Sequence, residues 1–279
     1  MQHRYYRLLV LRRKVCSSSG VSENNVLSLI FGRLFNAGAV GNYTQAAKWN
    51  TMGHSLISGT IQQVAQPVLA SISDEEDRQL KVFRKMLRFT AFLSMPAMLG
   101  LALIADFIVL LLGQQWTDSV LLLRILCISG AFLPIQTLYQ NLFISLGRSD
   151  KYMWCTALQI VVQISVILIF SIWGLQVMVA AYSAMLIIWI GVWQTMARQL
   201  IGLRFCDMGK DVMPFLLSAA ACMVASYYAT SAISQPVVSL AARIAIAALL
   251  YMGIMKVARV KIFDECISYF LQHIKRKKQ

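Results

Sequence analysis

Charge is what this sequence is shortest of. Only 14% of its 279 residues are Asp, Glu, Lys or Arg, and 58% are hydrophobic; the mean hydropathy is +0.63. Soluble domains carry roughly 25% charged residues, so an ordinary soluble enzyme is set aside. Disorder needs low hydrophobicity and goes with it. The six cysteines show no CxxC spacing, which excludes a small disulfide scaffold; most lie in or near apolar runs and read as small packing residues. The three histidines, His3, His54 and His273, are scattered and fit no metal spacing. There is no phosphate-binding glycine loop, and no cofactor or metal is expected. The short alternating segments of a transmembrane barrel are also missing.

Long apolar runs are present instead, and runs of about 20 residues mark membrane spans. Residues 1–22 form a basic lead-in without the apolar core of a signal peptide. A marginal span at 24–40 and a polar one at 51–70 come next. A charged connector, 71–88, precedes spans at 89–112, 120–146, 153–173 and 177–197. Spans at 212–229 and 237–257 lead to a basic tail, 259–279. The expected fold is an all-α polytopic bundle of about eight helices with both termini cytoplasmic. Residues 23–152 supply the first four helices and 153–258 the last four.

The basic residues set the orientation. With the N-terminus inside, the cytoplasmic segments 1–22, 71–88, 147–152, 198–211 and 256–279 hold 22 of the 26 Lys and Arg, while the outer loops, including one at 41–50, hold only Lys48. This is a positive-inside pattern, and it makes the net charge of +14 a matter of topology rather than of nucleic-acid binding. Trp49, Trp116, Trp154 and Trp173 fall near expected span ends, as an aromatic belt requires. In the connector, Ser73 and Glu76 have capping-box spacing. Acidic residues precede basic ones there, and Leu80, Phe83 and Leu87 form an apolar stripe, so an amphipathic surface helix is expected. The tail has the same character.

Polar residues inside spans are costly unless they meet a partner or a cavity. Ser55, Gly59, Gln62 and Gln66 recur on one helical face. Gln136/Gln140 and Thr137/Asn141 are i,i+4 pairs just after Pro134, and Gln159/Gln163 repeat the spacing. Such stripes either bond between helices, at about 0.6–2 kcal/mol per contact, or line a wet cavity. The candidate cavity residues are Arg33, Gln62, Gln66, Gln136, Gln140, Asn141, Gln159 and Gln163, with Arg33 as the cavity cation. Asp106 and Arg124 sit at matching depth on a helical hairpin and are expected to form a structural ion pair. Arg243 is expected to snorkel to the outer headgroups. The outer loops offer only Asp118 as an acid, which disfavours a membrane enzyme.

Four strings carry a resemblance. Ile30-Phe31-Gly32-Arg33-Leu34-Phe35 with Gly41-Asn42-Tyr43-Thr44-Gln45-Ala46, Val64 through Ile72, Leu112-Gly113-Gln114-Gln115-Trp116, and Ile144 through Asp150 stand in order. Together they resemble the polysaccharide and lipopolysaccharide flippases of the multidrug/oligosaccharidyl-lipid/polysaccharide exporter superfamily. The resemblance implies a bacterial inner-membrane protein of 12–14 helices in two bundles around a central cavity. Such a protein moves an undecaprenyl-pyrophosphate-linked oligosaccharide across the bilayer without being an enzyme. This chain corresponds to the second bundle and the last two helices, so a missing N-terminal half or a second copy would complete it. The alternatives are a drug/cation antiporter of the same superfamily, for which Asp106 is the available intramembrane acid, and a non-transporting membrane fragment.

Overall fold

The computed structural model describes residues 35–73, 75–107, 113–231 and 235–257. Arg33, the basic lead-in, the tail from residue 259 and most of the expected 24–40 span lie outside the described residues. Within them the chain is helical, without a strand: α1 (Ala37–Ser71), α2 (Glu76–Leu103), α3 (Thr117–Gly130) entered through a 3-10 turn at Gln114–Trp116, α4 (Leu133–Ser145), α5 (Ser149–Phe170) ending in a 3-10 turn at Ser171–Trp173, α6 (Leu175–Ile201), α7 (Phe205–Thr230) and α8 (Pro236–Val257). Six stretches are long and apolar enough to cross a membrane, with α3 and α4 counting as one.

The largest departure from the sequence reading is α1. Residues 41–50 are not an outer loop but the second to fourth turns of a continuous 35-residue helix, about 52 Å long at 1.5 Å per residue. Asn36 caps it, its side-chain oxygen accepting from Ala39 N at 2.8 Å. The Gly41-Asn42 pair reads as a turn signal, yet Tyr43, Ala46, Asn50, Ile57, Ile61, Ala65 and Leu69 keep one buried face along the helix, and that burial overrides the local preference. Trp49 therefore sits within a helix rather than at a helix end.

The connector 71–88 is not a separate surface helix. From Glu76 onward it forms the first turns of α2, which runs unbroken into the bilayer segment, with Phe83 and Leu87 fully buried. Its N-cap is Glu75, without a side-chain cap bond, so the Ser73–Glu76 capping box does not open the helix. The 120–146 span is broken at Ala131–Phe132, and Pro134 occupies the first turn of α4, where its missing N–H costs nothing. Two glycines turn the chain at the basic ends. Gly147 and Gly202 both adopt φ +69°, a left-handed conformation that strains a side-chain-bearing residue. Each ends a helix and lets the next start within a few residues.

The paired segment α3–α4 is the centre of the bundle, 61% buried, whereas α5, α7 and α8 are only 22%, 28% and 17% buried. Around the centre, α1 packs on α2, α3 and α4, and α6 on α3 and α5. Aromatic pairs fill the core, Phe83 with Tyr139 at 5.2 Å and Phe143 with Trp193 at 5.3 Å between ring centres. The peripheral helices expose apolar side chains, among them Leu158, Val161, Leu217, Val224 and Leu249, which suits a lipid-facing surface. Helices α7 and α8 attach chiefly through α2. Phe92 of α2 meets Phe215 and Tyr251, and the Tyr251 hydroxyl donates to Phe92 O at 3.0 Å.

Candidate functional site

The face of α1 turned away from the core carries a polar stripe beside exposed Met52, Leu56, Val64 and Val68. Thr44, Lys48, Thr51, Ser55, Gly59, Gln62 and Gln66 follow one another at three- or four-residue steps. Thr44, Lys48, Thr51, Ser55 and Gln62 are exposed, and Gly59 and Gln66 half-buried. From Thr44 to Gln66 the stripe spans about 33 Å, close to the roughly 30 Å of a bilayer's hydrocarbon core. Gln63, also exposed, widens it. The hydroxyls of Thr44 and Ser55 donate to carbonyls of the preceding turn, Val40 O at 2.7 Å and Met52 O at 3.4 Å, while the amides and the ammonium project outward. Exposure of such groups to lipid costs several kcal/mol each. The stripe therefore belongs against water, a polar ligand or further protein.

The other amides are placed differently. Gln136 Nε2 on α4 donates to Gln159 Oε1 on α5 at 3.0 Å, with both side chains buried. Gln163 Nε2 on α5 faces the Tyr182 hydroxyl on α6 at 3.4 Å. Asn141 Nδ2 donates to Thr137 O within its own helix at 2.8 Å, and Gln140 is half-buried one turn from Gln136. Gln136, Gln159 and Gln163 thus join α4, α5 and α6 inside the bundle. The structure does not bring them to the α1 stripe, which holds only Gln62 and Gln66 of the candidate cavity residues.

Ionic groups cluster at both ends. At the end away from the basic helix ends, Arg124 Nη2 donates to Asp106 Oδ2 at 2.6 Å. Arg243 joins them instead of snorkelling outward. Its Nη1 lies 3.8 Å from Asp106 Oδ2, its Nε donates to Thr230 Oγ1 at 3.1 Å, and its guanidinium sits over the Phe107 and Tyr227 rings at 5.4 and 5.1 Å. The two rings and the carboxylate give the guanidinium cation–π and ionic partners there. On the basic side Asp211 of α7, 3% exposed, accepts from Arg84 Nε and Arg88 Nε of α2, both at 2.7 Å. Asp207 lies 3.4 Å from Arg84 Nη1.

Two features differ from the sequence expectation. Hydropathy places Lys48 in an outer loop, although the three- and four-residue steps from Ser55 continue back through Thr51, Lys48 and Thr44. It places Asp207 and Asp211 in the cytoplasmic segment 198–211, although their four-residue spacing matches that of Arg84 and Arg88 and lets two facing helices form a charge ladder.

Residues 18–121 match the family model described as polysaccharide biosynthesis protein. The chain is similar to a membrane protein in the cps region of Klebsiella pneumoniae, 29% identical over 54% of this chain and 32% of that protein. It is similar to the lipopolysaccharide biosynthesis protein WzxC of Escherichia coli (strain K12), 26% identical over 46% of this chain and 26% of that protein. It is also similar to the teichuronic acid biosynthesis protein TuaB of Bacillus subtilis (strain 168), 24% identical over 72% of this chain and 42% of that protein. The matches thus span less than half the length of each relative. Among solved structures, the lipid II flippase MurJ in an inward closed conformation superposes with a TM-score of 0.66 at 16% identity, covering 85% of this chain and 49% of that one. At that identity the likeness is one of fold.

Proposed function

We propose that this chain, a multi-pass membrane relative of the bacterial polysaccharide and lipopolysaccharide biosynthesis proteins, forms one wall of a pathway that carries a lipid-linked oligosaccharide across the bilayer. The observation that carries this reading is the α1 stripe. It offers hydroxyls, amides and one cation over about 33 Å, on the side of the helix that the bundle leaves uncovered, although α1 is not among the six stretches apolar enough to cross a membrane by themselves. A sugar headgroup needs donors and acceptors at every depth, and an anionic pyrophosphate linkage needs a cation among them. Lys48 supplies that cation within the described residues; Arg33 is a second candidate in the segment just before. A missing half or a second copy of the chain would close the opposite wall, and undecaprenyl pyrophosphate is the lipid carrier the reading implies.

Transport of this kind makes and breaks no covalent bond, so the chain works here as a non-enzyme. The antiporter alternative needs an intramembrane acid free to bind a cation. Asp106 is held by Arg124 and Arg243, which favours the saccharide reading over it.

Accessibility tests the reading. Ser55→Cys and Gln62→Cys in membranes are expected to react with a water-soluble maleimide, above the background set by exposed Cys206. Leu158→Cys, on the apolar outer face of α5, is expected to stay unlabelled. Stripe positions as inert as position 158 would mean that α1 does not border water, and the pathway reading would fall.

A further inference from the structure

A pocket of about 540 Å³ lies at the end of the bundle opposite the basic helix ends, between the starts of α1 and α3 and the turn entering α6. Its volume falls within the roughly 300–1,000 Å³ of small-ligand sites. Asn36, Asn42, Asp118 and Gln176 bring side-chain polar groups to its walls, and Trp173, 61% exposed, stands at the same wall. Asn36 uses its oxygen to cap α1, and Asn42 uses its oxygen to accept from Ser119 Oγ at 3.0 Å. Each asparagine therefore presents its amide N–H groups. The Asp118 carboxylate can only accept, and the Gln176 amide can do both.

We propose that this pocket binds a sugar residue on the outer face of the membrane. The chemistry of its lining selects that class. Among the described residues no Lys, Arg or His lines it, so they offer a phosphate no cation; their single carboxylate is too few for a hard metal ion; and their mixture of donors and acceptors is wrong for an acyl chain. A pyranose has hydroxyls that both donate and accept around its edge, and a C–H face that lies flat on an indole. Donors from Asn36 and Asn42, an acceptor from Asp118 and the Trp173 ring match that pattern. The proposal rests on the reading of the chain as a saccharide carrier in one respect: the sugar is taken to be that of the cargo, held where it emerges. The pocket is separate from the α1 stripe, so the two ideas can fail independently.

The test uses the full chain in right-side-out membrane vesicles, with Val177→Cys as a reporter at the pocket wall. An impermeant maleimide is expected to label it from outside. The probe is the repeat-unit oligosaccharide released from the host's own surface polysaccharide. At about twice its Kd, simple occupancy slows labelling about threefold. Trp173→Ala and, separately, Gln176→Ala are expected to remove this protection while leaving unprotected labelling intact, which also shows that the variants fold. Inorganic phosphate is expected to give no protection. The proposal is overturned if position 177 is not labelled from outside, if the oligosaccharide does not slow labelling, if phosphate protects equally, or if protection survives in both variants. In the last case Trp173 is only part of the interfacial aromatic belt. Failure here with Ser55→Cys and Gln62→Cys still labelled would remove the pocket and leave the pathway standing.

Discussion

Asp211 is the side chain on which the attachment of the last two helices turns. It is nearly inaccessible and accepts from two arginines on α2. Asp211→Asn keeps the shape but removes the charge, leaving two guanidiniums side by side with a neutral amide. Hydrogen bonds to charged groups contribute about 1.5–3 kcal/mol each. Because Arg84 and Arg88 are 26% and 44% exposed, water offsets part of the loss, and a destabilisation of about 2 kcal/mol is expected. Arg78→Ala removes a pair with Glu75 that is more than half exposed on both sides and is expected to cost under about 1 kcal/mol. Thermal unfolding of the purified chain in detergent compares the two; equal shifts would mean that burial of Asp211 has no energetic consequence.

Among the helices, α1 packs on α2, α3 and α4 and comes especially near α3 at Gly130. A Cβ on Gly130 would overlap the Asn50 side chain of α1 and press on the Met98 methyl of α2 at 2.6 Å. Gly130→Ala must therefore push α1 outward or force Asn50 into another rotamer, at a cost of about 1–3 kcal/mol for overpacking. Gly191→Ala, where nothing lies within 4 Å of the added carbon, is expected to be neutral or slightly stabilising. Unfolding measurements on the pair check this, and a Gly130 variant as stable as the Gly191 variant would contradict the packing described.

The same scale shows what was legible in the sequence. The apolar spans of α5, α6, α7 and α8 lie within the observed helices because twenty consecutive apolar residues leave one structural choice. The Asp106–Arg124 geometry follows from depth matching on a hairpin, which sequence alone supplies. The start of α1 was not legible, since Gly41 and Asn42 carry local turn preferences and only burial of Tyr43, Ala46 and Asn50 outweighs them. The continuity of α2 was hidden for a related reason. Arg84 and Arg88 look like headgroup anchors until Asp211, more than 120 residues away in sequence, is placed beside them. The fate of Gln136, Gln159 and Gln163 was open because spacing alone does not distinguish an amide facing another helix from one facing water.

As a whole the molecule has two kinds of surface. The faces of α5, α7 and α8 are apolar and suit lipid; the uncovered face of α1 carries the Thr44–Gln66 polar stripe beside exposed Met52, Leu56, Val64 and Val68. The proposed pathway wall rests on that asymmetry rather than on any single residue. Photo-crosslinking puts it to the test in living cells. A benzophenone amino acid at Ser55 or Gln62, in cells making lipid-linked oligosaccharide, is expected to give an adduct carrying glycan, whereas the same probe at Leu249 on the lipid face of α8 gives none. Glycan adducts absent from both stripe positions, or equally abundant at Leu249, would contradict a saccharide path along α1.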